Sequence, residues 1–234
     1  MNVPMKLNRL HYVRLAMRSV LFVALLLLYI RDGAQFMQTL KNLPILLAVV
    51  WVIFAAEIVV RFFPTRFESP GSQKHLAANY TPTGRAYTKN RNNRCALIVA
   101  LSWIVFNLIF GGLHFAGFLN TGFMILLCSA YAVCDEVCIM FFCPFHQFFF
   151  HHQCCTECRI YNWNYTMMFT PLLFVPGLYT WSLLALALVL LLQWELAAHR
   201  HPERFMKQTN DYLGCHCCTD KVCLSKKQIK KHSA

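Results

Sequence analysis

The chain has 234 residues, of which 57% are hydrophobic, 15% aromatic and only 14% charged, with a mean hydropathy of +0.43. A soluble domain carries roughly 25% charged residues, so this composition excludes an ordinary soluble enzyme and points to a polytopic membrane protein. The net charge of +12 comes with no nucleic-acid-binding module, and the basic residues fall between and beyond the apolar runs; nucleic acid is excluded as a partner, and the lipid bilayer takes its place.

Residues 1–18 carry Lys6, Arg9, Arg14 and Arg18 and no acid. The apolar run 19–30 has the length of a secretory core but no small-residue cleavage pattern, so an uncleaved anchor is expected. Borrowing residues 15–17, with Arg18 snorkelling to the interface, gives a span over 15–30. After a short polar connection, a second span is expected over 43–63. Pro44 suits its first turn, and Glu57 and Arg61, four apart, are placed to pair on one face. Residues 64–94 form the longest polar loop, with Glu68 as its single acid. The positive-inside tendency puts this loop and the N-terminus in the cytoplasm, where the sequon at Asn79 is a chance match.

A third span covers 95–119, and Asn107, Gly111 and His114 share one of its faces as a helix-packing stripe. The turn Asn120-Thr121-Gly122 makes the fourth span, 123–143, its antiparallel neighbour, until Pro144 breaks the helix. Residues 167–196 are apolar but interrupted by Pro171 and Pro176-Gly177. Their first half reads as re-entrant or interfacial, which returns the tail 197–234, with eight Lys and Arg against three acids, to the cytoplasmic side. Tyr161, Trp163, Tyr165 and Trp194 read as interfacial anchors. The expected fold is therefore an all-α, polytopic membrane bundle of four or five transmembrane helices with a cysteine-rich cytoplasmic face, in the plasma (inner) membrane.

Twelve cysteines in a chain that is neither short nor soluble do not form a secreted disulfide scaffold; clustered thiols in a reducing compartment are metal ligands. Cys134 and Cys138 are four apart, on one helical face. Cys143 precedes the break at Pro144. Cys154, Cys155 and Cys158 form CCxxC, and Cys215, Cys217, Cys218 and Cys223 form a compact set in the tail. Isolated Cys95 and Cys128 read as small packing residues. Ten clustered thiols suffice for two four-cysteine centres with ligands shared between loop and tail. Asp135, Glu136, His146 and Arg159 are candidate proton or charge partners, with His151 and His152 nearby.

CxxxC followed by Cys143-Pro144 at a helix end resembles membrane polyferredoxin-type electron-transfer proteins over that stretch alone, and the ferredoxin repeats expected with it are missing. The leading expectation is membrane electron transfer through a cysteine-ligated iron–sulfur centre, with a protein redox partner. The alternatives are a non-catalytic assembly scaffold locked by structural zinc, and a soft-metal transporter or metallochaperone. No Walker loop, Rossmann fingerprint, serine elbow or HExxH is present, so no catalytic residue is assigned.

Overall fold

The computed structural model describes residues 5–86, 92–150, 154–219 and 221–223. Helices dominate, and among the described residues there is no strand, only an isolated bridge between Pro82 and Asn210. Helix α1 runs Met5–Asp32 and stops where Gly33 takes the left-handed conformation that favours glycine. The expected polar connection after it is instead a 3-10 turn and a short helix, α2 (Phe36–Lys41), with Phe36 and Leu40 buried. Helix α3 (Pro44–Val60) begins on Pro44, and α4 (Pro70–Gln73) is one turn inside the following loop. Helix α5 (Asn92–Phe115) ends before Gly117, again left-handed. Asn120 then caps α6 (Thr121–Met140), its side chain accepting from Phe123 N–H at 2.8 Å.

Residues 164–177 resolve the ambiguity of the interrupted apolar stretch. Helix α7 (Asn164–Phe169) tightens into 3-10 turns over Thr170–Phe174 around Pro171, and α8 (Leu178–Arg200) starts after Pro176-Gly177. Phe174 packs against Gly111 and the Phe115 ring, near the far end of α5. The broken segment therefore descends through the bundle, and α8 brings the chain back. The tail ends up beside residues 75–83: Asp211 N–H donates to Thr81 O at 2.8 Å, and Arg204 Nη1 to His75 O at 3.3 Å.

Among the described residues, four helices are long and apolar enough to cross a membrane, those starting in α1, α5, α6 and α8, and α3 is a shorter apolar helix. Their outward faces leave Val20, Ile45, Leu108 and Val189 exposed. Helix α1 packs on α6, and α3 on α8. One core cluster joins Phe54 and Ile58 to Phe169, Leu183 and Leu190. A second, at the end bearing the loops, gathers Cys158, Tyr161, Trp194 and Phe205.

Several expectations need correction here. Trp194 and Tyr165 are fully buried and Tyr161 nearly so, so they are core residues rather than interfacial anchors. Arg18 does not snorkel: it is 1% exposed and enclosed by acids. Glu57 pairs with Arg14 and Arg18, not with Arg61, which turns to Asn162 and Asn164. The stripe of Asn107, Gly111 and His114 does pack, with Gly111 so close to the Phe174 ring that a Cβ would lie 2.3 Å from it.

Candidate metal centre

The site begins with the period of α6. Tyr131, Cys134, Asp135, Cys138 and Ile139 recur at i, i+3, i+4, i+7 and i+8, which is one face of a helix, and all five line one cavity of about 280 Å³. Pro144 ends that helix and starts a wide turn over Phe145–Phe150, which carries Cys143 and His146 onto the cavity wall. Cys155 and Cys158 close it from the opposite side. Five of the six thiols expected in this region thus surround a single space. Cys154 is outside the lining; its Sγ lies 2.8 Å from Thr156 Oγ1.

The CCxxC loop rests on a platform that lies within the long polar loop 64–94. Residues 68–75, ESPGSQKH, are all buried. Gly71 lies so close beneath the loop that a Cβ there would sit 2.8 Å from Cys155 O. Lys74, wholly buried, donates from Nζ to Thr156 O at 2.8 Å and Cys158 O at 2.7 Å, and its ammonium lies over the Trp194 and Phe205 rings. Burial lowers its pKa from 10.5 to about 8, with Cys158 acting in the opposite direction. Asn162 Nδ2 donates to Ser72 O at 2.6 Å, fastening the chain just after the loop to the same platform.

Behind the α6 face lies a buried ionic network. His11, Arg14 and Arg18 stand at i, i+3 and i+7 on α1 and face α3 and α6. Arg18 reaches Glu57 at 2.8 Å and Asp135 at 2.9 Å. Arg14 reaches Glu68 at 2.8 Å and Glu57 at 3.2 Å. His11 Nδ1 meets Glu136 Oε2 at 2.9 Å, and Arg61 Nε lies 3.6 Å from Glu68. Tyr165 O–H donates to Glu57, and Asn164 Nδ2 to Asp135. Arg14, Arg18, Arg61 and His11 thus face the four acids Glu57, Glu68, Asp135 and Glu136 in one buried cluster. Asp135 alone of the four acids both joins this network and lines the cavity.

The remaining candidates separate. Glu136 faces α1 rather than the thiols. Arg159 is held by Glu195 at 2.8 and 2.7 Å. None of Cys215, Cys217, Cys218 and Cys223 lines the cavity; the tail shares its end of the bundle without contributing a wall. Among the described residues, the one group of three potential ligands with all donor atoms within 4.8 Å is Asp211, His216 and Cys217. Cys128 is a core residue and Cys95 packs against the second core cluster. His151 and His152 lie outside the described residues. A second cavity of about 480 Å³, walled by α5, α8 and residues 163–174, adjoins the first through Trp103 and Met167. No family model matches this chain, and neither curated proteins nor solved structures give a match.

Proposed function

We propose that this is an integral membrane protein that carries an iron–sulfur centre in the thiol cavity and passes electrons through it to a protein partner. The supporting observation is the arrangement of Cys134, Cys138, Cys143, Cys155 and Cys158 around one space. A tetrahedral zinc site with Zn–S bonds of about 2.3 Å holds its sulfurs roughly 3.8 Å apart. Among the described residues no three of these thiols are gathered even within 4.8 Å. Thiols spread around a cavity suit a polynuclear cluster, in which different cysteines bind different irons. Lys74 supports the reading by holding the backbone carbonyl of Cys158 from behind the cavity.

The exposed apolar faces of the long helices contact lipid in this reading. The end bearing the basic loop, the CCxxC loop and the basic tail faces the cytoplasm of an inner membrane, with the N-terminus, by the positive-inside tendency. The test is metal and acid-labile sulfide analysis of anaerobically purified protein, with its visible absorption. Brown protein containing iron and sulfide is expected. Cys155→Ser and Cys158→Ser lose the iron, whereas Cys95→Ser and Cys128→Ser keep it. Colourless protein with zinc bound through Cys155 and Cys158 overturns the proposal.

A further inference from the structure

We infer that Asp211, His216 and Cys217 form a second metal site, separate from the thiol cavity, that binds one Zn²⁺ and fastens the turn of the tail. The three donor atoms lie within 4.8 Å of one another, and His216 Nε2 is 3.1 Å from Asp211 Oδ2. The turn that presents them is anchored at its base. Asn210, with no exposed surface, donates from Nδ2 to Arg204 O at 2.8 Å, and its Oδ1 accepts from Thr81 N–H and Tyr212 N–H, both at 3.2 Å. Leu213, three residues on, is buried as well. Gly214 N–H closes onto Asp211 O at 2.8 Å and Cys217 N–H onto Gly214 O at 3.1 Å. The His216 ring folds back over Gly214 so tightly that a Cβ there would lie 2.5 Å from Cε1. Glycine at this position is what lets the imidazole reach Asp211.

The donor set selects the ion. One thiolate, one imidazole and one carboxylate are the mixed ligands of a borderline cation, and Zn²⁺ accepts all three. Ca²⁺ and Mg²⁺ require oxygen cages, and Cu(I) prefers sulfur throughout. With Asp211 and Cys217 ionised, the bound dication is neutralised. The flanking thiols are engaged elsewhere, Cys215 near Lys207 Nζ at 3.5 Å and Cys218 accepting from Lys221 N–H at 3.4 Å. Water takes the fourth position. A metal there ties together residues 211–217, which adjoin the pairing of Thr81 and Thr83 with the tail, and so pins the tail to the loop that carries the buried platform.

The test uses full-length protein in detergent, stripped by a chelator and titrated with Co²⁺ followed by Zn²⁺ competition. One Co²⁺ with a single thiolate-to-metal absorption band is expected at this site. Asp211→Asn, His216→Ala and Cys217→Ser each weaken it by about 10–100-fold, and Zn²⁺ slows proteolysis within 211–217 in the wild type but not in these variants. Cys155→Ser leaves the site unchanged while it removes iron from the cavity, so loss of either reading is visible separately. One-equivalent binding that survives all three tail substitutions, or that disappears with Cys155→Ser alone, overturns the inference.

Discussion

Arg18 holds the centre of the bundle, and replacing it tests how. Its guanidinium lies 2.8 Å from Glu57, 2.9 Å from Asp135 and 3.5 Å from Glu136, while Ala132 O accepts from it at 3.1 Å. Arg18→Met keeps the apolar stem and leaves three carboxylates facing one another with one cation fewer. Removing one partner from a buried charge pair costs about 3–5 kcal/mol. At about 2–4 °C per kcal/mol for a chain of this size, Tm should fall by roughly 6–20 °C. Arg18→Met/Glu57→Gln should recover part of the loss, since the residual repulsion drops, and the coupling between the two positions should be about 1 kcal/mol or more. The assay is thermal unfolding of the purified protein in detergent, followed by tryptophan fluorescence. Because Arg18 is 1% exposed, the difference from wild type should be the same at low and high salt. A Tm for Arg18→Met within about 2 °C of wild type would place the guanidinium in the headgroups and refute the buried network.

Other perturbations address the platform. Gly71→Ala places a Cβ 2.8 Å from Cys155 O, so it should displace the CCxxC loop and, under the proposed iron–sulfur function, lower iron content with the bundle still folded; unchanged iron content would show that the loop yields without consequence. Lys74→Met removes two hydrogen bonds to loop carbonyls but also relieves a buried charge, so stability should change little while iron retention falls; full retention would contradict the anchoring role. His75 is buried against the Trp194 ring, tilted at 53° with centroids 5.5 Å apart, and burial lowers its pKa to about 4. The unfolded chain takes up the proton first, so this histidine's contribution is complete above pH 6.5 and is lost as pH falls towards 4, by about 3 kcal/mol. His75→Phe should abolish that increment of acid lability; identical acid slopes for variant and wild type would refute it.

The cavity face of α6 was legible because helical spacing alone places Cys134 and Cys138 together, and Pro144 announces the break that returns Cys143 to them. The ionic network was not legible, because each charge was judged against its nearest chain neighbours. Arg18 was matched with the interface and Glu57 with Arg61, whereas their partners are 117 and 39 residues away. A usable signal was present: His11, Arg14 and Arg18 at i, i+3 and i+7, with Glu57, Asp135 and Glu136 inside other apolar segments. Residues 68–75 belong to a polar loop, and nothing in their own pattern marks them as buried. Their burial is imposed by coverage from residues 154–162 and the tail, which no local pattern reports. The buried aromatics Tyr165 and Trp194 misled for the same reason, since a membrane belt and a core beneath a polar cap use the same residues.

The distance in sequence between Arg18 and Asp135 also sets an order of events during synthesis. At about 5–20 residues per second, the 117 intervening positions take roughly 6 to 23 s to emerge. For that interval α1 must shelter two arginines without the acid that will hold one of them. Glu57 and Glu68, 39 residues after Arg18 and 54 after Arg14, emerge earlier and can hold these two arginines, so the network stands half assembled until α6 brings Asp135 and Glu136. A chain that stops before residue 135 therefore leaves Arg18 with one of its two closest carboxylates.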